Sequence, residues 1–111
     1  MSITPDVTFT VENDDLDGNM AFHGVAADGV PRTILIANNV QRDWEIMNRN
    51  GGGEFWFIVD WDGVQDIESD QEGAHVLPAT ISARTVRSAA SSMYIRVLAD
   101  GADCNYTITA V

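Results

Sequence analysis

Apolar residues recur at every second position along most of this chain, in runs too short and too often interrupted to be helices. "VTFTV" at 7–11 alternates strictly, and "MAFHGV" (20–25), "RTILIA" (32–37), "RDWEIMN" (42–48) and "EFWFIVD" (54–60) follow it. "AHVL" (74–77), "TISARTV" (80–86), "SMYIRVL" (92–98) and "CNYTITAV" (104–111) complete the series. Period two is the signature of the pleat, in which successive side chains point to opposite faces. Turn-forming clusters stand between the runs: "DDLDGN", "AADGVP", "NRNGGG", "DWDG", "DQEG" and "ADGAD". Short strands at this spacing predict an all-β fold, an antiparallel β-sandwich or small barrel of about 8–9 strands with no substantial helix. The last two runs read as a hairpin. Met93, Ile95 and Val97 would share one face, and Tyr106, Ile108 and Ala110 would meet the same core from the partner strand.

Length adds that all of this is one domain, residues 1–111, with residues 1–6 ("MSITPD") as a possible extended arm ahead of the first strand. Charge changes the picture more. The chain carries 17 acidic residues against six Arg and no Lys, a formal net charge of −11. Backbone phosphates require a basic face, so nucleic acid is excluded as a partner, and an anionic membrane surface is disfavoured for the same reason. No apolar run approaches the roughly 18 residues of a membrane helix. The N-terminal residues lack the basic and apolar regions of a secretion signal, so the expected site of synthesis and assembly is a cytoplasm. A single cysteine, Cys104, allows no internal disulfide and reads as a small, partly buried thiol rather than a reactive or intermolecular one.

The acids are unevenly placed. Six of them (Asp60, Asp62, Asp66, Glu68, Asp70, Glu72) fall within 13 residues, and no Lys or Arg occurs between Arg49 and Arg84. "DWDG" at 60–63 and "DLDG" at 15–18 contain the D-x-D-G core of calcium loops, in which alternating oxygens surround the ion. Asp60, Asp62, Asp66, Asp15 and Asp17 are therefore the candidate metal ligands. Neither stretch has the bidentate Glu that closes such a loop, and D-G is also a common tight-turn dipeptide. The expectation is a solvated collar first and a calcium site second, with no other cofactor.

Catalytic residues are not expected. His23 and His75 lie in unrelated strands, and no turn presents a nucleophile beside a base. Phosphate-binding glycine loops and metal-ligand motifs are missing as well. The aromatic strand says more. In "EFWFIVDW", Phe55, Phe57 and Val59 fall on one face and Trp56 and Ile58 on the other. A strand with one wet face should not put Trp and Ile there. Either the domain covers both faces or a second chain does. Subunit contact is the favoured expectation, through Phe55, Trp56, Phe57, Ile58 and Trp61.

Four pieces between Val40 and Val111 form a pattern: Arg42 with Trp44, Ile46 and Asn48; "EFWFIVD" followed by "WDG"; "HVLPA" at 75–79; and "SMYIRVL…NYTITAV". In them the chain resembles small phage virion proteins. The resemblance implies a β-sandwich that decorates or cements a capsid, or forms a head fibre. It would be a homo-oligomer, a trimer by match to local threefold positions, bound to the major capsid protein on the outside of the virion. The alternative is a calcium- or carbohydrate-binding β-sandwich module. "YIRV…NYTITAV" also resembles the end of prepeptidase C-terminal modules, which usually sit on secreted enzymes.

Overall fold

The computed structural model describes residues 4–10, 21–39, 42–49, 52–60, 66–87 and 91–110. Nine strands and no helix occur among them: β1 (Val7–Thr10), β2 (Ala21–Ala26), β3 (Arg32–Asn39), β4 (Asp43–Asn48), β5 (Glu54–Asp60), β6 (His75–Leu77), β7 (Ser82–Arg87), β8 (Ser91–Asp100) and β9 (Cys104–Ala110). Each falls on one of the alternating runs. The strands form two sheets, ordered β1-β3-β8-β5-β6 and β2-β9-β4-β7, packed as a sandwich.

Alternation explains what lies between the sheets. Ile34, Ile36, Phe55, Phe57, Met93, Ile95 and Val97 come from the first sheet, and Trp44, Ile46, Tyr106 and Ile108 from the second; all are buried in one cluster. Rings run through this core in a chain: Phe9 against Phe22 (5.9 Å between centroids), Phe22 against Tyr106 (6.2 Å), and Tyr106 stacked on Phe55 (5.2 Å). Phe57 continues from Phe55 and ends against the His75 ring at 5.2 Å. Tyr106 lies over Gly24, where a Cβ would come within 2.5 Å of its ring, so this strand position takes only glycine. Burial pushes the Tyr106 phenol up to about 12, with Arg32 opposing and Asp6 reinforcing the shift.

Two expectations about pairing are corrected. β8 and β9 do not form a hairpin. They belong to different sheets, β8 pairing with β3 and β5, and β9 with β2 and β4. The residues expected on one core do face it, but from opposite sides, because the turn at Gly101 (φ +106°) carries the chain from one sheet to the other. The sandwich is also not purely antiparallel: β1 pairs with β3 in parallel, Val7 opposite Ile34 and Phe9 opposite Ile36. Asp6, at the end of the expected arm, continues this pairing. Its N–H donates to the Thr33 carbonyl at 2.8 Å, and its carboxylate accepts from the Thr33 N–H at 2.8 Å.

One buried polar side chain ties three segments together. The Asn48 amide nitrogen donates to the Gly53 carbonyl (3.0 Å) and to the Pro78 carbonyl (3.1 Å), fixing the β4–β5 turn to the corner after β6. Gly53 itself packs so tightly on the 100–102 turn that a Cβ would lie 2.7 Å from the backbone of Ala102. Asn48→Ala removes two hydrogen bonds, at about 0.5–1.5 kcal/mol each; the Gly53 carbonyl keeps the Cys104 thiol and the Pro78 carbonyl keeps the Thr80 N–H. We expect a total loss of about 1–3 kcal/mol by urea unfolding. A change within experimental error would show that the Asn48 amide does not tie these segments together.

Candidate binding cleft and the covered aromatic strand

The aromatic strand β5 is buried on both faces by its own chain. Phe55 and Phe57 are fully buried in the main core. Trp56 and Ile58, on the opposite face, are each 7% exposed in a second cluster with Leu98, Ile67 and partly buried Ala74. Ile67 and Ala74 belong to the acidic segment. What reads in sequence as a solvated collar is, over residues 66–74, a strap laid across the outer face of the first sheet. The subunit interface expected at Phe55, Trp56, Phe57 and Ile58 is corrected accordingly: these side chains have their cover within the chain. Trp61, expected with them, lies outside the described residues.

The strap holds its shape through Gln71. The Gln71 side-chain oxygen accepts from the Glu68 N–H (2.8 Å), and its amide donates to the Asp66 carbonyl (3.1 Å). Backbone bonds from Gln71 to Glu68 and from Ala74 to Gln71 close two turns, with Asp70 at φ +61° and Gly73 at φ +88°. Ser69 donates to Asp100 at 2.7 Å. Asp66 anchors the near end, accepting from the Ile67 N–H (2.9 Å) and from Arg96 (3.2 Å). Arg96 is itself almost covered and donates also to the Thr33 hydroxyl. Ile67 carries only a faint signal in the sequence, one apolar side chain inside an acidic run.

The candidate calcium ligands do not converge in what is described. Asp60 ends β5 and Asp66 begins the strap, where a guanidinium already engages it. Among the described residues no three acidic, histidine or cysteine side chains are grouped to hold a metal. Asp15, Asp17 and Asp62 lie outside the described residues. The other potentially reactive groups are dispersed. Cys104 is buried and donates to the Gly53 carbonyl at 3.3 Å. Burial, the dominant cause, raises its pKa; Asp103 and Asp28 add to the shift, and the Gly53 hydrogen bond opposes it. The His23 Nδ1 lies 2.9 Å from the Thr107 hydroxyl on the outer face of the second sheet.

A cleft of about 330 Å³ opens instead at the edge of the sandwich, between the short edge strand β6 and the edge strand β7. Val59, Gly73, His75, Arg84, Thr85, Val86 and Arg87 line it. Its origin is geometric: β6 has three residues and β7 six, so part of the inner face of β7 has no strand opposite. Arg84 pairs in register with Ile46 and Val86 with Trp44, which places both on that inner face. His75 pairs with buried Phe57 and faces the same gap from β6. Partial burial and the nearby Arg84 guanidinium lower the His75 pKa from its usual value, burial being the larger cause.

Comparison with known proteins bears on the fold. No family model matches the chain, and no curated protein matches it in sequence. Among solved structures, the pre-peptidase C-terminal domain of a collagenase from Bacillus anthracis is similar, with a TM-score of 0.58 over 100% of both chains and 11% sequence identity. At that identity the likeness concerns the β-sandwich architecture.

Two outcomes follow. Ile67→Ala should lower stability by about 2 kcal/mol, in the range of buried aliphatic truncations, and red-shift the tryptophan emission as water reaches Trp56. An unchanged spectrum and melt would mean the strap does not seal this face. For His75, the folded pKa lies below the unfolded value, so its contribution is present above about pH 6.5 and is lost as pH falls through the folded pKa. His75→Gln should flatten that part of the stability–pH curve, read from thermal melts between pH 7 and 5. An identical curve in the variant would remove His75 as its source.

Proposed function

We propose that this protein acts by binding other proteins rather than by catalysis, and that it serves as a decoration (cement) protein on the outside of a phage capsid. The observation that carries binding over catalysis is the dispersal of reactive groups. The one thiol is buried beneath a turn, and the two histidines occupy different sheets, His23 on β2 and His75 on β6. A nucleophile and its base need to meet within hydrogen-bond reach. The capsid reading draws on the resemblance of residues 40–111 to virion proteins, and the acidic composition is compatible with it. In that role the work is mechanical: each copy bridges neighbouring capsomers and adds contacts that hold the shell closed.

The placement of the aromatic strand changes how such a protein would dock. Because β5 is covered from within, contacts with other copies or with the shell have to come from elsewhere, and the large exposed aliphatics among the described residues are Val25, Val30, Val76 and Ile81. The net charge of −11 would speed association with a basic capsid surface at low salt. A second reading, an accessory module that accompanies a larger protein, is favoured by the end-to-end likeness to a collagenase domain.

Undecorated shells of the major capsid protein from the same genome provide the test. The expected result is saturable co-sedimentation, a raised shell melting temperature and weaker binding as salt is increased, since screening shortens the reach of surface charge. Shells that neither bind the protein nor gain stability would overturn the capsid reading.

A further inference from the structure

The basic residues of this chain are few, yet three of its eight Arg and His side chains (His75, Arg84 and Arg87) line one cleft. No Asp or Glu is among the described residues lining it, although acids outnumber Arg by 17 to six. Arg87 has a carboxylate partner, Asp43 of β4, at 3.2 Å in an exposed pair. Arg84 has none among the described residues. It faces His75 across the gap, close enough for its charge to hold the imidazole towards the neutral form. Asp60, next to lining residue Val59, points by strand alternation to the opposite face of its sheet, where it pairs in register with Tyr94. A strongly acidic protein thus presents a small concavity of the opposite sign, and such clefts concentrate the counter-charge.

We propose that this cleft is a binding site for a carboxylate carried on a short apolar group, with Arg84 supplying the paired donors, His75 a further N–H, and Val59 and Val86 the apolar floor. A guanidinium presents its donors as a planar fork that fits a carboxylate in two parallel hydrogen bonds. The volume of about 330 Å³ is at the low end for ligand sites, enough for a small acid or one acidic side chain of a partner. An oligosaccharide would not fit. Bound carboxylate also removes the unfavourable juxtaposition of Arg84 with a protonated His75, so binding and protonation of His75 favour each other. Among the described residues the charged group facing His75 is Arg84; Arg87 lies at the rim of the cleft, turned by strand alternation to the other face of β7, where Asp43 holds it. The inference is independent of the capsid reading, since a free small acid and an acidic side chain of any partner offer the same chemistry.

Titration of the full chain with sodium butyrate, followed by NMR of the His75 ring and the Arg84 side chain, tests it. The expected result is saturable shifts at both residues, a rise in the His75 pKa on saturation, and weaker binding as pH is raised through that pKa. Butan-1-ol, which keeps the apolar group without the charge, should give no saturable shift. Arg84→Gln should weaken butyrate at least about tenfold, the effect of losing a hydrogen bond to a charged group. Arg84→Lys, which keeps the charge without the fork, should fall between; Arg84 is exposed, so both variants should melt like the parent. A short peptide with one Glu, set against its Gln counterpart, distinguishes a protein-borne carboxylate from a free acid. Shifts that grow linearly with concentration, that appear equally at Arg32, or that survive Arg84→Gln would overturn the proposal.

Discussion

The need to cover β8 on both faces organises this molecule. It is the longest strand, at ten residues, and the middle strand of the five-stranded sheet. Its inner face carries Met93, Ile95, Val97 and Ala99, all fully buried, and requires a second sheet. Its outer face carries Arg96 and Leu98, each 8% exposed, and requires something smaller. The second sheet meets the first demand and the strap over residues 66–74 the second. A central strand with one wet face would alternate apolar with polar residues, whereas β5 is apolar on both sides and β8 sets Leu98 beside a covered Arg96 on its outer face.

The acids that build the strap are consequently not a uniform solvated run. Asp66 engages Arg96 and a backbone N–H, and Asp100 accepts from Ser69. Elsewhere Asp28 and Asp103 hold two turns together, the Asp28 N–H donating to Asp103 and the Gly101 N–H to Asp28, each at 2.9 Å. Asp and Asn favour such places because their short side chains reach nearby backbone groups. These acids cross-link loops through backbone donors, and the density of negative charge is partly a by-product of how the turns are made.

The fold was legible because period-two alternation is a local property, and all nine runs mark real strands. Sheet membership was not, because it depends on which way a turn sends the chain. The run ending at Leu98 and the run beginning at Cys104 look like hairpin partners, and nothing in "ADGAD" announces a change of sheet. The cover for Trp56 and Ile58 was hidden for a related reason. It comes from one isoleucine in a polar stretch, and a single apolar residue has no periodicity. Arg84 was harder still: in sequence it is one more charged residue on an edge strand, and its pairing with Ile46 alone turns it inward.

Cys104 gives this architecture a built-in chemical clock. Its sulfur is fully buried and sits against the Gly53 carbonyl, beneath the junction that Asn48 and the 100–102 turn hold shut. Only a thiolate reacts with alkylating reagents, and here burial both blocks access and raises the pKa. Modification therefore has to wait for that junction to part. Because the chain has one cysteine, the modification rate in native buffer measures how often this end of the sandwich opens, with no engineered label to disturb the packing it reports on.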